Sequence, residues 1–422
     1  MVGHAPRLPE GGAQQAASLT PEQVRALLTP VGRDAVRLAA GLDLRPGARL
    51  AAAEAVRAAA GPELGPLALE QALLKDRARA KHPRGAELWW TGEALEQASS
   101  APVAAWRTGR YDAPVLDLGC GVGGDLLAFA AAHGGATGVD LDEARLLLAR
   151  ENAAVLGVDV ALLRADVTRL PLPSGASVFA DPARRSGGRR VFSARAYTPP
   201  LDLVASWLPG LRALGVKVAP GLADEDVPPG FEVEVVSLGG DVKEAVLWGG
   251  VARRGGERRA VLLPAGDVLL DDPTPVPAVR PPGRWLLEPD GAVVRAHLVA
   301  QVAERVGGWL LDATIAYVAA DAPVPTPFGR WYEVLETLPF SLKPLRERLR
   351  AHDAGPLVVK KRGTAVEPEV LRRQLKLTGS REVTVVLTRS AGRQVAMVVR
   401  PAPTGGAGPV SGAGRGAGPA PG

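Results

Sequence analysis

The densest concentration of residues suited to chemistry is Val115-Leu116-Asp117-Leu118-Gly119-Cys120-Gly121-Val122-Gly123-Gly124-Asp125. An apolar run ends in an acid, a glycine-rich turn follows, and a helix-forming stretch begins beyond it. Glycines let backbone approach a ligand closely at the carboxyl end of a strand. The start of the next helix offers free N–H groups to an anionic group. Asp140 ends the next apolar run, 23 residues after Asp117, near the spacing at which an acid meets ribose hydroxyls. Two more acids follow further apolar runs: Asp166 in Arg164-Ala165-Asp166-Val167 and Asp181 in Phe179-Ala180-Asp181-Pro182. Asp125 reads either as facing a ligand or as a first-turn acid favoured by the helix dipole. Asp142 reads as a helix N-cap.

Past Asp181 the chain continues Pro182-Ala183-Arg184-Arg185, with Arg189 and Arg190 close behind Gly187-Gly188. Guanidinium groups stack on bases and hold phosphate, so this loop reads as a substrate contact, against a plain solvated loop. No other cluster stands out. The five histidines are scattered, and a single cysteine, Cys120, excludes an intramolecular disulfide and a cysteine-built zinc site.

These residues need elements to hold them. Short apolar runs at 115–118, 136–139, 160–163, 177–180 and 216–219, with helical stretches between the earlier ones, predict parallel strands in a doubly wound α/β sheet. Two further strands, 231–237 and 244–249, predict an antiparallel hairpin at the sheet's edge. Before this region, residues 18–100 read as an α-helical module: Ser18 or Thr20 caps a helix with Pro21 at its first position, a second helix spans 66–81, and a third lies near 92–98. The domain thus set at 101–265 is followed by a Pro-rich linker, 266–283. A small α+β domain spans 284–401, with helices near 296–306, 343–352 and 368–377, a strand at 357–360 and a hairpin of 382–388 with 393–399. Residues 1–17 and 402–422 read as disordered tails.

Composition narrows the class. The chain has 422 residues, 46% hydrophobic and 23% charged, which excludes dominant disorder. No apolar run reaches the roughly 18 residues of a membrane span, and the N-terminus lacks a secretory pattern, so a cytoplasmic protein is expected. Net charge is +5, but it is unevenly spread. Residues 101–265 carry net −1, and residues 280–400 carry net +7. An anionic partner for the C-terminal third follows.

A glycine-rich turn alone also suits a nicotinamide dehydrogenase. The acid two residues before the first glycine, with acids after the second, third and fourth strands in order, resembles instead the class I S-adenosylmethionine-dependent methyltransferases. The resemblance implies a Rossmann-like sheet and S-adenosyl-L-methionine as cofactor. It implies that Asp117, Gly119, Gly121 and Gly123 hold the methionine end, Asp140 the ribose and Asp166 the adenine. Asp181-Pro182 stands where amino-directed members carry Asp/Asn-Pro-Pro-aromatic, so Asp181, Pro182 and Arg184 are the catalytic candidates. The second proline is Ala183 here and the aromatic is Arg184. Methylation at a pyrimidine carbon needs a nucleophilic cysteine near this motif, and Cys120 lies in the cofactor turn instead; transfer to nitrogen needs proximity and in-line orientation, and no metal.

The wider pattern resembles a family of bacterial class I methyltransferases with a C-terminal THUMP-like domain. It rests on Leu95-Glu96-Gln97-Ala98-Ser99, Asp181-Pro182-Ala183-Arg184-Arg185, Gly188-Arg189-Arg190-Val191-Phe192, Glu288-Pro289, Lys360-Lys361-Arg362-Gly363 and Leu371-Arg372-Arg373-Gln374-Leu375-Lys376. THUMP domains are RNA-binding modules of tRNA-modifying enzymes, so by analogy RNA, tRNA or rRNA, is the expected partner and RNA modification the expected role, and the Asp181-Pro182 motif makes a base nitrogen the expected target. Arg185, Arg189, Arg190, Lys360, Lys361, Arg362, Arg372, Arg373 and Lys376 are the expected RNA contacts. Arg372, Arg373 and Lys376 share one side of a helix by spacing, so the C-terminal cations are expected to form one phosphate-binding patch. Lys75, Arg77, Arg79 and Lys81 are a weaker patch, and Trp89-Trp90 read as core or domain contact. The competing readings are a methyltransferase for protein or a small molecule, and a non-catalytic RNA-binding factor that keeps the cofactor fold.

Overall fold

The computed structural model describes residues 19–184, 197–271 and 276–403, apart from the side chain of Arg184. The expected tail 1–17, nearly all of 402–422, and Arg185, Arg189 and Arg190 lie outside the described residues. Two compact units divide the chain: Met1–Asp272 with Gly291–Leu298, and Pro273–Asp290 with Val299–Gly422.

The first unit begins with helices α1 (Pro21–Leu28), α2 (Pro30–Ala40), α3 (Arg49–Ala78), α4 (Gly92–Gln97) and α5 (Ala101–Thr108). Thr20 caps α1 and Gln23 reaches back to the Thr20 N–H, a reciprocal pair that satisfies two otherwise orphaned donors. The expected helix 66–81 is the second half of α3, which breaks at Gly61, where φ is 82°. Strands and helices then alternate: β1 (Val115–Leu118), α6 (Leu126–His133), β2 (Ala136–Asp140), α7 (Glu143–Leu156), β3 (Val160–Arg164) and β4 (Ser177–Ala180). After a two-residue ladder of β5 (Ala183–Arg184) and β6 (Tyr197–Thr198) come α8 (Leu201–Ser206), β7 (Ala213–Val218), β8 (Glu232–Leu238), β9 (Asp241–Gly250), β10 (Arg258–Leu263) and β11 (Asp267–Leu270). Helix α9 (Gly291–Arg295) returns to pack on β8, β9 and β10.

The nine-stranded sheet has the order β11-β10-β8-β9-β7-β4-β1-β2-β3. Strands β3, β2, β1, β4 and β7 are mutually parallel, and the chain winds outward in both directions from between β1 and β4. That reversal opens a crevice at the strands' carboxyl ends. The expected hairpin is β8 with β9, but it is not at the edge: β10 adds in parallel to β8, and β11 closes the sheet. The expected linker therefore contains β11. Strand β10 was hidden by its own charges, because Arg259 is buried against Glu232 at 3.2 Å in an ion cluster with Arg110 and Glu234. Strand reading from apolar alternation misses charges that are buried in pairs.

The helices α1–α4, the turn after β1 and helix α7 share one core. Val24, Leu27, Val56, Leu74, Trp89 and Trp90 pack with Val122, Ala144 and Leu148. Asn152 of α7 accepts the Trp89 N–H at 2.6 Å and donates to the Trp89 and Val122 carbonyls at 3.0 Å. Trp89 and Trp90 are thus core residues.

The second unit holds β12 (Trp285–Pro289), α10 (Val299–Arg305), β13 (Trp309–Leu310), β14 (Val318–Ala320), β15 (Gly329–Pro339), α11 (Leu342–Ala351), β16 (Ala354–Lys361), α12 (Pro368–Leu375), β17 (Arg381–Ser390) and β18 (Arg393–Pro401). Its sheet runs β13-β14-β12-β15-β18-β17-β16. One core cluster holds Leu286, Tyr317, Tyr332 and Met397; the other holds Leu345, Leu349, Leu371 and Leu375 of α11 and α12 against Val385 and Val398. The expected helix near 296–306 is the shorter α10, which begins only at Val299, after His297 adopts φ 62°.

Candidate active site

A cleft of about 840 Å³ opens at the carboxyl ends of β1, β2, β4 and β7. Asp117, Gly119, Gly121, Asp140, Asp166, Asp181 and Pro182 all line it. The turn after β1 is built from left-handed backbone, with φ 81° at Gly119 and 56° at Gly121. A Cβ at Gly119 would stand 3.0 Å from the Asp181 carbonyl oxygen, so only glycine lets this turn lie against the end of β4. Gly123 does not line the cleft; it faces Leu127.

Asp140 ties the turn to β2: Oδ2 accepts the Gly121 N–H and Oδ1 the Asp142 N–H, both at 2.9 Å. Asp166 accepts the Thr168 hydroxyl at 2.7 Å and its N–H at 2.9 Å, and these bonds hold its carboxyl below the usual range. Asp142 caps α7 as expected. Asp117 is 1% exposed, and neither carboxylate oxygen has a hydrogen-bond partner among the described residues. Burial, then the charges of Asp125 and Asp181, push its carboxyl well above the usual range. Cys120 is buried, and its thiol is pushed up by burial and by Asp117 and Asp140. It is no nucleophile.

Asp125 heads α6 but caps no N–H. It is ion-paired with Arg107 of α5, whose guanidinium, 1% exposed, also binds Glu244 of β9. Arg107 donates to Ser99 Oγ at 3.2 Å and Ser99 to Glu244 at 3.1 Å, and the guanidinium lies 4.8 Å from the Phe179 ring. Ala94, Glu96, Gln97 and Ala98 form part of the cleft wall. The helical module therefore forms part of the cleft. Leu95–Ser99 is conspicuous in the sequence, but its role depends on contacts more than a hundred residues away.

Asp181, beyond β4, pairs with Lys217 of β7: Nζ lies 2.8 Å from Oδ2. The Lys217 ammonium also donates to the Gln97 carbonyl at 3.3 Å. A lysine interrupting the apolar run Ala213–Val218 was the sequence signal for this residue. Pro182 is buried, and the backbone of Arg184 pairs with Tyr197 in the small ladder.

The expected basic patches are differently arranged. Lys75 is buried, with its ammonium 4.2 Å from the Trp89 ring centroid and bonded to the Glu87 and Leu88 carbonyls; Lys81 donates to the Glu96 and Ala98 carbonyls. Both cations serve the helical module's own packing. In the second unit Lys360 pairs with Glu288 at 2.6 Å and Lys361 with Glu367 at 2.7 Å. Arg362 donates to the Ala316 carbonyl and stacks over Tyr317; Arg372 binds the Leu357 carbonyl and Glu369. Arg373 and Lys376 remain exposed, and Lys376 has left the helix with φ 49°. One free patch of six cations is not what forms, because four of them satisfy carboxylates and carbonyls of their own unit. Among the described residues no helix is long and apolar enough to cross a membrane.

Residues 115–179 match the methyltransferase-domain family, residues 329–401 the THUMP domain-like family, and residues 20–80 a domain of unknown function. Two Mycobacterium tuberculosis proteins, from strains H37Rv and CDC 1551, are 43% identical to this chain over 351 residues, 80% of this chain and 97% of theirs. Each is described as an uncharacterized S-adenosylmethionine-dependent methyltransferase. A solved structure from Porphyromonas gingivalis W83, assigned as a methyltransferase, superposes with a TM-score of 0.70 at 23% identity, over 91% of this chain and all of that one, a likeness of fold. With the acid–glycine turn, the ordered acids around the cleft and relatives matched over nearly their whole length, the chain belongs to the class I S-adenosylmethionine-dependent methyltransferases that carry a C-terminal THUMP-like domain.

Proposed function

We propose that this methyltransferase modifies a base nitrogen in structured RNA of the tRNA or rRNA kind. The observation that carries the reaction type is the Asp181 carboxylate at the end of β4, on the cleft wall and followed by Pro182. The residues of the cleft fit the cofactor. Asp117 is a buried acid with no hydrogen-bond partner among the described residues, and the ammonium of a methionine end is the kind of donor it lacks. Asp140 and Asp166 each keep lone pairs beyond those used by the loop backbone, which suits ribose hydroxyls and an adenine amino group. Leu141, exposed beside Asp140 in the cleft, offers the adenosine an apolar edge. Gly119 and Gly121 give the turn its close backbone approach.

When bound, S-adenosylmethionine supplies a methyl group on a sulfonium: the target lone pair forms the N–C bond as the S–C bond breaks and sulfur becomes a neutral thioether. Asp181 accepts a hydrogen bond from the target N–H and aims the nitrogen lone pair. It takes the proton that the methylated nitrogen sheds and passes it to water. That bond strengthens as positive charge develops on nitrogen, so Asp181 acts on the chemical step. Arg184 acts in placing the substrate, with Arg185, Arg189 and Arg190 beyond it.

The RNA reading is supported by the net +7 of residues 280–400 and by the likeness of residues 329–401 to THUMP domains. Exposed Arg373 and Lys376 are its first contacts, with Lys360, Lys361, Arg362 and Arg372 turning to phosphate at the expense of their internal partners. A cytoplasmic enzyme fits this substrate. Mass spectrometry of nucleosides from tRNA and rRNA of a gene-deletion strain tests it: one methylated base should be missing and return on complementation. A full set of methylated nucleosides would refute the RNA substrate and favour a protein or small-molecule acceptor.

A further inference from the structure

Lys217 stands in a strand whose other residues are buried, at the floor of the cleft. Its side chain is 15% exposed. Burial works against its charge, yet the carboxylates of Asp181, Asp125 and Glu244 hold the ammonium above its ordinary range. A valine or isoleucine would pack here without desolvating a charge, so the sheet itself does not call for lysine. Strands β4 and β7 are parallel neighbours with Ala180 opposite Val216, and side chains at their carboxyl ends meet in the cleft. The ammonium sits 2.8 Å from Asp181 Oδ2 and 3.3 Å from the Gln97 carbonyl. Asp181 Oδ1 has no hydrogen bond among the described residues.

We infer that Lys217 is a positioning residue for methyl transfer: tethered to the Gln97 carbonyl, it occupies Asp181 Oδ2 and so presents Oδ1 to the target N–H. The inference rests on the reading of Asp181 as the acceptor. The carboxylate torsion of aspartate is broad and nearly two-fold, so an unrestrained Asp181 would offer either oxygen over a wide arc. A cation fixed on one oxygen breaks that symmetry. Orientation of this kind matters because small misplacements of a reacting group cost large factors in rate. The tether also links the end of β4, β7 and the C-terminal end of α4, so three parts of the fold converge on one carboxylate.

The test uses the full chain with Lys217→Met, Lys217→Arg, Asp181→Asn and the double variant Lys217→Met/Asp181→Asn. Single-turnover transfer of tritiated methyl is measured on saturating tRNA and rRNA purified from a strain lacking the gene, and S-adenosylhomocysteine affinity is measured by calorimetry. Lys217→Met should slow transfer by about tenfold or more with the affinity held within about twofold. Lys217→Arg should recover part of the rate. The double variant should be no slower than Asp181→Asn, since one residue acts through the other. A normal rate in Lys217→Met, or losses that multiply in the double variant, would overturn the inference. A normal rate in Asp181→Asn would instead overturn the reading of Asp181. Nitrogen NMR of the ammonium groups needs no substrate, and the chain has only eight lysines. The Lys217 resonance should change in Asp181→Asn; if it stays where it is in the wild type, the pair does not exist in solution and the inference fails.

Discussion

Replacing Asp140 by alanine probes the cofactor cleft most directly. In the free protein its two oxygens hold the Gly121 and Asp142 N–H groups at 2.9 Å, so the side chain both shapes the glycine turn and faces the space expected for ribose. A hydrogen bond to a charged group contributes about 1.5–3 kcal/mol. Two ribose hydroxyls bound to one carboxylate therefore give about 3–6 kcal/mol at most, and part of that returns when water takes their place. With every 1.4 kcal/mol worth tenfold, affinity for S-adenosylhomocysteine should fall by about 10²-fold or more. Asp140→Asn keeps an acceptor oxygen and nearly the same shape but loses the charge, so its loss should be smaller, about tenfold. Titration calorimetry measures both, with thermal unfolding to check that each variant is folded. If folded Asp140→Ala binds within about threefold of the wild type, Asp140 does not hold the ribose.

Other expectations follow from the same contacts. Arg107→Met strands two buried carboxylates, Asp125 and Glu244. Removing one partner of a buried ion pair costs about 3–5 kcal/mol, and adding Glu244→Gln should restore part of it; denaturant unfolding that registers no loss would show the network to be idle. Asp117→Asn should stabilise the cofactor-free protein, because the buried carboxyl is held well above its ordinary value. Such a group costs nothing below the unfolded value near 3.9 and costs progressively more as pH rises toward its raised native value. The melting-temperature gain should therefore be larger at pH 8 than at pH 4.5, and an equal gain at both would contradict the raised carboxyl. Arg373→Ala/Lys376→Ala should weaken RNA binding and flatten its salt dependence; an unchanged slope in a filter-binding series would remove these two residues from the interface.

Much of the cleft was legible in the sequence because its parts are local. A glycine turn, the acid before it and the acids just past successive apolar runs are readable from spacing, and the strands alternate with helices strongly enough to give the doubly wound order of β1 to β4 and β7. The hairpin of β8 and β9 was legible for the same reason, but its position was not, since β10 carries paired charges and β11 lies in a proline-rich stretch. Lysine and arginine counts likewise indicated a basic C-terminal third, but not which cations are free. Lys360, Lys361, Arg362 and Arg372 find carboxylates and carbonyls within their own unit, a matter of distance in space.

What the sequence determined by itself is the glycine turn and the series of acids at one end of the cleft, Asp117 through Asp181, because short-range steric and hydrogen-bonding rules act within a few residues. The tertiary structure alone decided what surrounds that end. Ser99 and Arg107 from the helical module, Lys217 from β7 and Glu244 from β9 come together through a shared core and a sheet whose neighbours are distant in sequence. A buried charge is tolerated only where an opposite charge meets it, and that meeting is fixed by packing across the whole unit, which no local pattern records.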